Sequence, residues 1–239
     1  YVNSSRRSAE LIKYASNAFL ATKIGFINEM ADLCEVVGAD VQDVSKGMGL
    51  DTRIGSKFLN AGPGYGGSCF PKDTLALLRT ADDLGVKNRI VSAVVEANDD
   101  RKLAMADKII SACEGSVKGK KIAILGLTFK PNTDDMRDSP SLDIIPALQT
   151  AGAEICAFDP EGMEEARKVL RNINYASSPY ETMDDADVLV IITEWKQFHA
   201  LDFNEVRRRM KTTKLVDLRN IYGGQNITPE DFVYIGIGR

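Results

Sequence analysis

The sequence predicts an all-α domain over residues 1–115, followed by an α/β domain with a mainly parallel sheet over 116–239. Two observations carry this expectation. Up to about residue 112, apolar residues recur every three or four positions, the helical period. After the small, polar and basic linker at 115–120 they gather instead into short apolar runs with helical segments between them. That alternation implies parallel strands covered on both faces, a Rossmann-like arrangement.

Taken in order, residues 6–36 form the first predicted helix, with Leu11, Ala15, Ala18, Phe19, Thr22, Phe26 and Met30 on the period. Gly38 supplies its stop, and Asp40 the cap of a short helix over 41–47. Between 49 and 68, Gly49, Gly55, Gly62, Gly64, Gly66 and Gly67, with Pro63, forbid a regular element. Helix resumes near Asp73, over 74–84, and again over 88–112, where Val91, Val94, Val95, Leu103, Ala106 and Ile110 keep the period. This last helix would be roughly 35–40 Å long. Strands are expected at 121–125, 154–158, 188–192 and 215–218.

Composition narrows the function classes. With 44% apolar and 27% charged residues the chain falls in the soluble globular class. No apolar run reaches 18 residues, so no membrane span is expected. A net charge of −4 argues against a nucleic-acid partner. Four cysteines without a CxxC pair, and a single His199, predict no metal site and a cytoplasmic setting. Cys34, Cys113 and Cys156 sit among apolar residues and read as small buried hydrophobes. The chain starts at Tyr1 with neither Met nor a leader-like segment, which reads as a portion of a longer protein.

Cys69 is set differently, in Gly-Gly-Ser-Cys-Phe-Pro-Lys-Asp. Glycines before it let a ligand approach the backbone, and a helix start after it offers unpaired N–H groups that favour a thiolate. Asp73 would lie one turn further on. A glycine-rich turn with a buried thiol is the competing reading. Lys13 and Asn17, four apart, share one helix face, which alone reads as a solvated stripe. In the α/β domain, Phe129, Lys130 and Arg137 follow the first strand and Arg219 ends a later one. Ligands of open α/β sheets bind at such strand ends, and converging Lys and Arg suit a diphosphate; plain exposed charges are the alternative. The first strand is followed by Gly126-Leu-Thr-Phe-Lys-Pro rather than GxGxxG. Asp159, at the end of a strand, resembles a ribose-binding acid but lacks those glycines.

Four motifs, in this order and spacing, resemble the UDP-glucose/GDP-mannose dehydrogenase family, the UDP-glucose 6-dehydrogenases in particular. They are Arg-Ile-Gly-Ser-Lys-Phe-Leu, Gly-Gly-Ser-Cys-Phe-Pro-Lys-Asp, Gly-Leu-Thr-Phe-Lys and Asp-Leu-Arg-Asn-Ile-Tyr. The resemblance spans essentially the whole chain. It implies oxidation of a sugar C6 alcohol to a carboxylate with two NAD⁺, through a cysteine thiohemiacetal and thioester. Cys69 is then the nucleophile, Lys13 and Asn17 hold the C6 oxygen and the oxyanion, and Asp73 assists base chemistry or orders water. Substrate contacts implied are Lys13, Asn17, Arg53, Phe58, Leu59, Asn60, Ala61, Gly62, Tyr65, Gly66, Phe129, Lys130 and Arg219. Lys72 and Arg137 match residues that touch NAD. The residue matching Arg53 reaches the neighbouring subunit's site, so the helical domain becomes a central dimerisation domain with its long helix as spine. Asn60 departs from the pattern, since many members carry a lysine there. An NAD-binding domain of roughly 190–210 residues is expected ahead of Tyr1. Relatives acting on GDP-mannose or UDP-N-acetyl sugars are the alternatives, as is a UDP-sugar-binding portion that catalyses nothing by itself. Arg-Ile-Gly-Ser-Lys-Phe-Leu favours UDP-glucose.

Overall fold

Helix α1 (Arg6–Val37) starts where the Ser5 hydroxyl caps the Ser8 N–H and ends at Gly38, whose φ of +74° is the left-handed turn that glycine tolerates. The computed structural model describes residues 3–223 and 232–239. Helix α2 (Val41–Gly49) follows, its first turn capped by Asp40, which accepts from the Gln42 N–H at 2.8 Å. The glycine-rich stretch that comes next is irregular up to α3 (Phe70–Asp83), and α4 (Arg89–Ala112) completes the helical half. Helix α3 begins three residues ahead of the expected Asp73, because Pro71 suits a first turn whose N–H groups need no partner. That earlier start puts Cys69 at the cap position.

The second half is one sheet of strands β1 (Lys121–Leu125), β2 (Glu154–Phe158), β3 (Asn174–Tyr175), β4 (Val188–Ile191), β5 (Lys214–Asp217) and β6 (Val233–Ile235). Helices α5 (Ser141–Thr150), α6 (Met163–Val169), α7 (Pro179–Thr182) and α8 (Phe203–Arg209) lie between them, with a 3₁₀ turn over Lys196–Ala200. Every described pairing is parallel and the order is β3-β2-β1-β4-β5-β6. That is the doubly wound Rossmann order, whose ligand crevice lies where the order reverses, between β1 and β4. Two strands escape the sequence reading. β3 has only two residues, and β6 is a sheet edge with one exposed and two half-buried positions, so neither makes an apolar run. The central strands do, because both their faces are covered.

One apolar cluster joins the halves. Met105, Ala106 and Ile109 of α4 share it with Ile144, Ile145 and Leu148 of α5, and Ile27 and Ala31 of α1 belong to it as well. The buried face of α1 is therefore small and partly polar: Ala18, Ala21, Gly25, Ile27, Asn28, Ala31 and Cys34. Leu11, Phe19 and Phe26, which keep the expected period, are instead 55%, 66% and 44% exposed. Leu103 of α4 is exposed in the same way.

Candidate active site

Three buried polar side chains of the helices hold the glycine-rich loop in place. The Asn28 Oδ1 accepts from the Gly62 N–H at 2.9 Å, and the Arg101 Nε–H donates to the Gly62 carbonyl at 3.0 Å. Asn98 clamps Tyr65 from both sides, accepting from its N–H at 2.8 Å and donating to its carbonyl at 3.2 Å. Arg101 also pairs with Asp32. Sequence reasoning passed over all three. Their signal was a polar residue at helical spacing inside an apolar face, as Asn98 and Arg101 are beside Val94 and Met105.

The far end of the loop is pressed against the α/β half. The Gly67 N–H donates to the Arg137 carbonyl at 2.7 Å. A Cβ on Gly67, whose φ is +82°, would lie 2.5 Å from the Phe129 ring, and one on Gly66 would collide with the Asp138 carbonyl. Neither glycine could carry a side chain, because the α/β half packs directly on this backbone. The thiol is reached from another side: Cys69 is exposed, whereas Cys34, Cys113 and Cys156 are buried. Burial pushes the Cys113 and Cys156 thiols up from their ordinary pKa.

One turn into α3, Asp73 has no exposed surface and gathers three partners. Asn17 donates its amide Nδ2 to Oδ2 at 2.6 Å, Lys13 Nζ stands 3.3 Å from the same oxygen, and Lys72 Nζ stands 3.3 Å from Oδ1. Burial alone would raise this carboxyl, but the Asn17, Lys72 and Lys13 contacts outweigh it and hold it below the usual range. Asp73 is thus a fixed anion that orients an amide and two ammonium groups. Lys13, Asn17, Asp73 and Cys69 come from two helices, α1 and α3, that pack on each other.

Two clefts lie at the start of α3, one lined by Phe70 and the other by Cys69; neither is lined by Lys13, Asn17 or Asp73. The first, of about 470 Å³, is lined by Phe58, Asn60, Gly62, Tyr65 and Gly66 from the loop and by Phe129, Lys130 and Arg219 from the strand ends. Its volume is ordinary for a small-molecule site. Burial pushes the Tyr65 hydroxyl up to about 12, so it remains a protonated donor at neutral pH. Arg219 is braced by the Ile192 carbonyl at 2.7 Å and the Phe129 carbonyl at 3.3 Å. Asn28, Lys57 and Glu194 also line this cleft and were missed, Glu194 because it lies past the end of β4 with no motif around it. Leu59 and Ala61 do not line it, since both face the core at 2% and 4% exposure. Arg53 lies outside it, fully on the surface and bound to Asp51. The second cleft holds Cys69 between Ser68, Lys72, Arg137 and Asp138.

Asp159 is not available to a ribose. Fully buried, it accepts from the Leu127, Thr128 and Gly162 N–H groups at 2.6, 3.1 and 2.7 Å and from the Trp195 indole at 3.1 Å. It ties the ends of three neighbouring strands together, which leaves no oxygen for a ligand.

Residues 7–100 match the central domain of the UDP-glucose/GDP-mannose dehydrogenase family, and residues 123–224 its UDP binding domain. The chain belongs to this family. A UDP-glucose 6-dehydrogenase of Rhizobium meliloti is 61% identical over 238 residues, covering 100% of this chain and 54% of the relative. The structure of a UDP-glucose dehydrogenase from Pyrobaculum islandicum superposes with a TM-score of 0.85 at 38% identity, over 97% of this chain and 51% of that one. The NDP-N-acetyl-D-galactosaminuronic acid dehydrogenase of Methanosarcina mazei gives 0.85 at 27% identity, over 98% and 51%. The chain spans about half the length of the curated relatives it matches. No helix among the described residues is long and apolar enough to cross a membrane.

Proposed function

We propose that this chain carries the UDP-sugar site and the reacting groups of an NAD-dependent enzyme that oxidises UDP-glucose to UDP-glucuronate. The observation that supports this most is the joint geometry: an exposed thiol one helical turn from a buried anion that orients Lys13 and Asn17. The strand-end cations Lys130 and Arg219 line the neighbouring cleft. High identity to a UDP-glucose enzyme favours glucose over N-acetyl sugars or GDP-mannose.

The Cys69 sulfur forms a bond to C6 of the intermediate aldehyde, giving a thiohemiacetal. Lys13 and Asn17 donate to the C6 oxygen, where negative charge develops. After C6 has reached the thioester level, water adds to it, the C–S bond breaks and Cys69 leaves as thiolate. Asp73, held charged, keeps Lys13 and Asn17 aimed throughout and orders the attacking water. Each carboxylate formed consumes one water and releases two hydrides and three protons. Lys72 and Arg137, flanking the thiol in the second cleft, suit an anionic dinucleotide. NAD, when bound, supplies the acceptor for the two hydrides. GxGxxG does not follow β1, β2, β4 or β5, so this reading places the main NAD contacts outside these strand ends.

The same reading includes a homodimer in the cytoplasm. Ile12, Phe19, Phe26 and Leu33 recur every seven residues along α1 and are all exposed, which is the pattern of a helix face that another copy covers. Arg53, outside its own cleft and paired with Asp51 on the surface, is then the residue that enters a partner's.

The test is a calorimetric panel of UDP-glucose, UDP-N-acetylglucosamine and GDP-mannose on this chain. UDP-glucose binding tightest supports the proposal; preference for GDP-mannose, or no binding at all, sinks it. Followed at the nicotinamide absorbance, the chain alone should give no turnover of UDP-glucose with NAD⁺; measurable turnover would overturn that expectation.

A further inference from the structure

The cleft at the strand ends contains a negative charge that the proposed ligand does not call for. Lys57, Lys130 and Arg219 line it, and so does Glu194. The Glu194 carboxylate lies against the guanidinium, with Oε2 3.0 Å from Arg219 Nε. Yet the Nε–H points to the Ile192 carbonyl at 2.7 Å. Glu194 Oε2 is therefore buried without a hydrogen-bond donor. Burying a carboxylate oxygen without a donor is costly; here the adjoining cation offsets it, and the side chain as a whole is only half-buried.

A carboxylate whose sole service were to orient Arg219 would accept from it. The Ile192 and Phe129 carbonyls already do that, and the strand end fixes the Arg219 backbone, its N–H donating to Asp217 at 3.0 Å. What Glu194 adds is charge. It lowers the positive potential that any phosphate meets at Arg219, and the reduction grows with each negative charge the ligand carries.

We infer that Glu194 is a charge-selecting residue of the cleft, admitting the diester diphosphate of a nucleotide sugar and penalising nucleotides with a terminal phosphate. This rests on the reading of the cleft as a UDP-sugar site. UDP-glucose has two ionised phosphate oxygens, whereas UDP and UTP carry an additional ionisation on the terminal group. At a partly screened separation of several ångströms, each extra ligand charge should cost about three- to tenfold in affinity. Such discrimination would keep the site open to substrate in the presence of free nucleoside di- and triphosphates.

The experiment measures UDP-glucose, UDP and UTP binding by calorimetry, at low and high salt, for the parent chain, Glu194→Gln and Glu194→Asp. The glutamine variant should bind UDP about three- to tenfold tighter relative to UDP-glucose, and gain more for UTP. The shift should shrink at high salt, and Glu194→Asp, which keeps the charge, should retain the parent's ratio. A ratio unchanged in Glu194→Gln, or equal weakening of all three ligands, overturns the inference while leaving the UDP-sugar site standing. A parent chain that binds none of the three overturns both.

Discussion

The helical and α/β halves dispose of their apolar side chains in opposite ways. In the α/β half, Ile122, Ile124, Val188, Val190 and Leu215 have no exposed surface, and Val169 and Val233 are the large apolar residues left outside among those described. In the helices, Ile12, Phe19, Phe26, Leu33, Leu75, Ile90 and Leu103 all face solvent. The helices spend their inner face on Asn28, Asn98 and Arg101, which hold the loop, and on Asn17 and Asp73 at the site. The difference teaches that an apolar periodicity marks a face to be covered, without saying whether the cover is the same chain.

The largest expected effect tests the sealed half. Ile124→Ala should cost about 2–5 kcal/mol in denaturant unfolding, because both faces of the strand are packed. Ile12→Ala should change monomer stability by less than about 0.5 kcal/mol. Equal losses would erase the contrast.

Next comes the ligand edge of the α/β half. Arg219→Ala should weaken UDP binding ten- to hundredfold, about 1.5–3 kcal/mol for a charge-assisted contact. Unchanged calorimetric affinity would remove Arg219 from the site.

The open half is tested by Phe19→Glu, which should weaken self-association by about 2 kcal/mol or more in sedimentation. Val169→Glu in the other half should leave it alone. If neither variant, or only the second, altered association, the α1 stripe would not be the covered face.

The smallest effect separates the halves by pH. Asp73 is held below its unfolded value of about 3.9. Its contribution is therefore full above that value and is lost as pH falls through the lower folded one. Asp217 is raised by burial, against its bonds from Tyr222, Arg219 and Tyr234. Its contribution is full below the unfolded value and is lost as pH rises through the folded one. Neither can exceed about 1.4 kcal/mol per pH unit. Melting curves should show Asp73→Asn flattening the acid limb below about pH 4 and Asp217→Asn flattening the limb above it; the reverse assignment would contradict both directions.

Much of this was legible in the sequence because it is local. Gly38, Asp40 and the apolar runs of β1 and β4 state their own conformation, and their boundaries fall within two residues of those expected. The Cys69 motif was legible by resemblance. What was not legible depends on contacts distant in sequence. Asp159 looks like a ligand acid until Leu127 and Trp195 occupy it. Gly67 looks like open backbone until Phe129 packs on it. Glu194 has no local pattern, and becomes a cleft residue only when β4 and β5 lie side by side.

The central claim is that Cys69 bonds to the sugar. Its most direct measurement is NADH formation by a Cys69→Ala variant of the chain joined to the NAD-binding domain proposed for the whole protein, saturated with UDP-glucose. The account predicts intact UDP-glucose binding with nearly all turnover lost, since alanine can form no C–S bond. UDP-glucuronate produced at a rate near the parent's would contradict it.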